Sequence, residues 1–143
     1  MSAGRPSIFS PAPPPWPARA LAVLRTVGGL VFISVGTMKM FGVPASPVPI
    51  PPFNPLTQLG LAAILEVFGG TAIVLGFCTR PVAFVLAGEM AVAYFQGHAP
   101  VSFWPSVNNG IPAILYCFIY LYLAAAGPGA WSLDHRLAPQ SGR

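Results

Sequence analysis

The sequence predicts an all-α fold, an integral-membrane bundle of four helices, and three observations carry that expectation. Hydrophobic residues make up 55% of the 143 and charged residues only 7%, where a soluble domain carries roughly 25% charged. Four apolar stretches of about 17–22 residues recur along the chain, and a helix needs roughly 20 to cross the hydrocarbon of a bilayer. The segments between them are rich in proline or very short. With seven basic and three acidic residues, the chain cannot cover a dissolved globule with charge. Lipid is the expected solvent, and in lipid the backbone must satisfy its own hydrogen bonds, which makes each span a helix.

Residues 1–18 hold Pro6, Pro11, Pro13, Pro14, Pro15 and Pro17 and read as a disordered or extended tail. The first apolar stretch is too long for a signal-peptide core of roughly 7–15 residues and lacks a clear A-x-A site. A transmembrane domain is expected over 19–134, with helices at about 20–41, 57–78, 81–97 and 110–126, and a second tail over 135–143. Six prolines in the thirteen residues 43–55 exclude a helix there and leave an extended loop. Only Thr79, Arg80 and Pro81 join the second and third helices, which makes a tight helical hairpin. The last connection carries Phe103 and Trp104, suited to a membrane interface.

Four spans place both tails and the Arg80 turn on one side. That side carries Arg5, Arg19, Arg80, Arg136 and Arg143, with Arg25 just inside the first helix, whereas the other side has only Lys39. Positive charge marks the cytoplasmic side, so both termini are expected there. The basic residues stand singly, without a run or a helical face, and this excludes a nucleic-acid reading. Cys78 and Cys117 form neither a C-x-x-C pair nor a metal-ligand set with histidine, and they read as buried, reduced thiols acting as small apolar residues.

Glu66 and Glu89 fall near the middle of their apolar stretches, where an acid is costly and belongs inside the bundle. Glu66 is flanked at helical spacing by Ala62, Ala63, Gly69 and Gly70, a small-residue face that lets another helix approach. Glu89 shares its face with Ala93 and Gln96, beside a stripe of Ala83, Ala87 and Ala91. Arg25 is placed at a depth from which it reaches Glu89, and Lys39 either snorkels outward or turns to Glu66. Two readings stay open for Arg25, Lys39, Glu66, Glu89 and His98. One is a buried ion-pair network locking the helices; the other is a polar pocket that moves a proton or binds a head group such as a quinone ring. His98 stands at the outer end of the third helix, an interfacial residue or a proton carrier. Tyr94 faces the same mouth; Asn108 and Asn109 read as caps of the fourth helix, with Asn109 a candidate substrate contact. His135 is expected to be solvated. No nucleophile elbow, phosphate loop, dinucleotide fingerprint or metal-ligand set is present, so no catalytic residue is assigned.

With these residues laid out, the chain resembles the DoxX family of small membrane proteins. The resemblance rests on Arg25, Gly36-Thr-Met-Lys39, Leu65-Glu66, Gly69-Gly70, Gly76-Phe-Cys-Thr-Arg80, Glu89-Met90, Tyr94 and His98. It continues from Pro105 through Asn109-Gly110 to Leu115-Tyr-Cys and the ending Gly127-Pro-Gly-Ala-Trp-Ser-Leu-Asp134, covering about residues 20–135. One departure is Ile111-Pro112, where the family often has a glutamate after Asn-Gly. The resemblance implies a bacterial inner-membrane protein. Because a relative is a subunit of a thiosulfate:quinone oxidoreductase, it also implies a partner in a redox assembly.

The expected function is therefore a non-catalytic membrane subunit or anchor, with membrane lipid, a soluble oxidoreductase and a second copy as candidate partners. Quinone is the candidate cofactor, without covalent attachment. The rival is a small proton-coupled permease acting as an oligomer; a third reading is an enzyme oxidising a small sulfur compound, against which the absence of a redox-active cysteine pair weighs.

Overall fold

A computed structural model describes residues 15–137. The chain is helical, and no strand occurs among the described residues. Helix α1 (Trp16–Phe41) begins earlier than the proline-rich tail suggests, because Pro17 sits in its first turn, where the missing N–H has no helical partner to lose. The remainder of that tail, and the end of the C-terminal one, lie outside the described residues.

Helix α2 (Gln58–Leu75) is capped by Thr57, whose hydroxyl oxygen accepts from the Gly60 N–H at 3.1 Å. A π-helical turn over Leu65–Gly69 interrupts it, and the left-handed Gly76 ends it. Helix α3 (Thr79–Ala93) starts two residues before the expected position and runs on through a second π-helical turn, Tyr94–His98. Helix α4 (Ile111–Ala126) has Pro112 in its first turn, and a short α5 (Leu133–Leu137) closes the described chain.

The helices pack as two antiparallel pairs, α1 on α2 and α3 on α4, with much less contact between α2 and α3. Glycine sets the first pairing. A Cβ at Gly29 would lie 2.8 Å from the Gly70 carbonyl oxygen, and one at Gly36 would lie 2.9 Å from the Glu66 Cβ. Backbones this close exclude any larger residue at those positions. In the second pair Ala83 and Ala87 are fully buried and bring α3 near the side chains of α4. Phe32 on α1 joins the pairs, its ring 4.7 Å from that of Tyr120 in an edge-on contact and 5.0 Å from that of Tyr116. The buried Tyr120 hydroxyl donates to the Gly28 carbonyl at 3.2 Å.

The outside is as apolar as the core. Phe68, Phe84, Phe95 and Phe118, one or more from each of α2, α3 and α4, are about two-thirds exposed. A soluble domain does not present such a belt; a lipid-facing one does. Helices α1 and α2 are each long and apolar enough to cross a membrane, and α4 is a shorter apolar helix.

Candidate functional site

Two polar assemblies occupy opposite ends of the bundle, and the structure divides the expected set of charges between them. At the Arg80 end, Arg25 is 1% exposed and does not turn to Glu89. Its Nε donates to the Pro128 carbonyl at 2.9 Å, Nη1 to the Ile73 and Val74 carbonyls at 2.5 Å each, and Nη2 to the Trp131 carbonyl at 3.2 Å. The last turn of α2 leaves carbonyls without helical donors. A planar guanidinium there serves several acceptors at once and ties them to the segment 128–131. The expectation of an Arg25–Glu89 pair is thus corrected: the open carbonyls of α2 and of the segment 128–131 lie within hydrogen-bond reach and satisfy the guanidinium.

The same segment caps α3. The Asp134 carboxylate accepts from the Cys78 N–H at 2.7 Å and the Thr79 N–H at 2.9 Å, while its own N–H donates to the Gly76 carbonyl at 2.9 Å. Burial pushes this carboxyl up, but the hydrogen bonds from Thr79 and Cys78 and the charge of Arg25 outweigh it and hold it below the usual carboxylate range. His135 is exposed, and its Nδ1 lies 3.1 Å from the Gly129 carbonyl and 3.2 Å from the Ser132 hydroxyl. This end is a structural latch. The role of Asp134 is not legible in the sequence, because it lies 55 residues from the Thr79 amide it caps.

The other end holds the candidate site. A cavity of about 720 Å³ opens between α2 and α3. One wall is Leu61, Ala62 and Leu65 of α2; the other is Val85, Glu89, Met90 and Ala93 of α3, with Gln96, Gly97 and His98 toward the rim. Thr57 and Gln58 close the top, and Lys39 reaches in from α1. Both π-helical turns border this region and carry Glu66 and His98; such turns shift the register of a helix face and recur at functional sites.

Gly36 lets α1 come close enough for Lys39, one turn on, to meet the neighbouring helix. The Lys39 Nζ lies 2.6 Å from Glu66 Oε1, and Glu66 is 2% exposed. Of the two expectations for Lys39, the turn to Glu66 is the one observed. Glu66 Oε2 and both oxygens of Glu89 are buried without a hydrogen-bond partner in the protein. His98 Nδ1 lies 3.0 Å from the Asn108 carbonyl oxygen, which only accepts. Nδ1 therefore carries a hydrogen, and Nε2 is the ring nitrogen left uncommitted.

Tyr94 and Asn109 do not line the cavity. Tyr94 is buried beside it, its hydroxyl donating to the Phe103 carbonyl at 2.5 Å and its ring stacked on His98. Asn109 is exposed in a left-handed conformation. The expected asparagine caps are also corrected. Gly110 occupies the N-cap position of α4 without a side-chain cap, and Asn108 Oδ1 accepts from the Gly110 N–H at 2.7 Å, bracing the loop instead. Cys78 and Cys117 are both unpaired, and Cys78 is exposed rather than buried, because it lies in the turn between α2 and α3.

A lipid-facing belt of aromatic side chains, helices of membrane length and a polar cluster inside the apolar zone define a helical integral membrane protein. The model of the DoxX family matches residues 20–99, and the chain belongs to that family. It is 37% identical over 119 residues to an uncharacterized protein of Haemophilus influenzae, covering 81% of this chain and 89% of that one. It is also 32% identical over 118 residues to inner membrane protein YqjF of Escherichia coli, covering 80% and 89%. Identity to inner membrane protein YphA of Escherichia coli is 30% over 131 residues, covering 81% and 89%. No solved structure matches. The chain is thus a bacterial inner-membrane protein.

Proposed function

We propose that the chain crosses the inner membrane four times with both termini cytoplasmic, and that the α2/α3 cavity receives the polar head of a bilayer-dissolved molecule. The leading role is a non-catalytic membrane subunit or anchor of a quinone-linked oxidoreductase assembly, with a quinone ring as the head group. Glu89 carries this reading: a buried carboxyl with both oxygens unpartnered, on the wall of a large cavity between apolar helices. Buried polar groups are satisfied in nearly all native proteins, so an unsatisfied one beside a cavity points to a ligand. The volume falls within the roughly 300–1,000 Å³ of small-molecule sites. The helical length of each segment and the excess of arginine at the Arg80 end support the topology.

The test is affinity purification of the full chain from mild detergent, with mass spectrometry of retained proteins and lipids. A stoichiometric soluble oxidoreductase or a bound quinone, the latter lost in Ala93→Trp, is the expected result. A homo-oligomer with neither would sink the anchor role.

A second reading is a small proton-coupled permease. It is favoured by the charge count, in which one lysine faces two glutamates inside the apolar zone. Proton flux into liposomes that vanishes in Glu89→Gln would establish it, and no flux at any pH would end it.

A further inference from the structure

We propose that the Lys39–Glu66–Glu89 cluster binds one amphiphilic organic cation, an ammonium- or phosphonium-type head on an apolar body, in exchange for one proton. The inference deepens the permease reading by naming its substrate class, and it rests on the α2/α3 cavity being a ligand site.

The argument is one of charge balance. Lys39 and Glu66 neutralise each other at 2.6 Å. Glu89 remains, both oxygens buried and without a partner in the protein. An isolated charge in a medium of low dielectric constant is too costly to persist, so the site is neutral only when Glu89 holds a positive charge of its own. No other cation of the described residues meets it. Arg25 is committed to four carbonyls at the opposite end, and Arg80 stands at that end as well. The ionisable groups that face the Glu89 region from the surrounding elements are Lys39 on α1, Glu66 on α2, His98 in the π-helical turn that follows α3, and Tyr116 and Tyr120 on α4. Tyr120 donates its hydroxyl hydrogen to the Gly28 carbonyl, and His98 lies at the rim, nine residues along α3.

A proton or one monovalent cation completes the site. When a cation binds, the Glu89 carboxyl gives its proton to solvent, the carboxylate pairs with the cation, and the cluster stays neutral. A divalent cation would leave a surplus charge, and a neutral head would leave the proton where it is. The walls fit the rest of such a ligand. Leu61, Leu65, Val85 and Met90 offer apolar surface, and Leu61 and Val85 are half exposed on the outside of the bundle, so the cavity opens toward lipid. Amphiphilic cations concentrate in the bilayer and reach it from the side.

The test uses the purified full chain in detergent and labelled tetraphenylphosphonium in equilibrium dialysis, between about pH 5 and 9. One cation should bind per chain, with an apparent Kd that rises by up to about tenfold for each pH unit lowered, as linkage to one proton requires. In weak buffer the wild-type protein should release about one proton per cation bound, a readout that needs no variant. Glu89→Gln, checked for folding by its melting curve, should bind at least about tenfold more weakly. Binding that is independent of pH, or without proton release, or unchanged in Glu89→Gln, overturns the inference. A short-chain quinone that binds where tetraphenylphosphonium does not would overturn it too, while leaving the quinone reading intact. If neither binds, the cavity is not a ligand site and both readings fall.

Discussion

Replacing Arg25 by leucine tests whether the latch at the Arg80 end holds the fold. The substitution removes every donor from the carbonyls of Val74, Pro128 and Trp131, whereas the Ile73 carbonyl keeps the Gly76 N–H at 3.1 Å. A hydrogen bond from a charged donor contributes roughly 1.5–3 kcal/mol, so three lost bonds amount to roughly 4.5–9 kcal/mol. Against this, the leucine no longer requires a guanidinium to leave water, a cost of several kcal/mol that the native fold carries. The net destabilisation is therefore about 2–4 kcal/mol. Reversible unfolding in detergent, monitored by circular dichroism, measures it. Hydrogen exchange locates it, because the Ala130 N–H bonds the Ala18 carbonyl and the Asp134 N–H bonds the Gly76 carbonyl; both amides should exchange faster once the segment is released. Arg25→Lys should recover less than half, since an ammonium cannot fork to both α2 and the 128–131 segment. A leucine variant within about 0.5 kcal/mol of wild type, with both amides still protected, would refute the reasoning.

The charges lead to two further outcomes. Lys39→Met should lower stability by about 3–5 kcal/mol by removing the partner of the buried Glu66, Glu66→Gln should cost less because Glu89 remains to balance the lysine, and the double variant Lys39→Met/Glu66→Met should recover most of the Lys39→Met loss; additive losses in a double-mutant cycle would show that the two residues act independently. Asp134, held below the usual carboxylate range, contributes stability that is complete above its unfolded pKa and disappears as pH falls through its folded one. Asp134→Ala should cost about 1 kcal/mol at neutral pH, as loss of a helix cap does, and should flatten acid unfolding; an unchanged acid limb would remove the capping role.

Much of the architecture was legible because it depends on contiguous residues. Apolar length and proline placement identify the helical segments, and the isolation of Glu66 and Glu89 among apolar neighbours marks them as exceptional. The Lys39–Glu66 contact was within reach of counting, since both residues sit at comparable depth on adjacent helices. Helix boundaries were less legible. α1 absorbs Pro17, and α3 gains two residues at its start because a carboxylate far along the chain caps it.

Hydropathy and helical period are local properties, so the order of residues is enough to establish that this protein is helical, belongs in a membrane and carries acids within its apolar stretches. Tertiary structure alone decided which acid has a partner. Gly36 brings Lys39 against Glu66 and leaves Glu89 facing a cavity. It also decided that Arg25 serves carbonyls rather than a carboxylate. Those choices turn on how far each helix rotates and how closely two backbones approach, and a glycine on one helix sets that for a side chain on another.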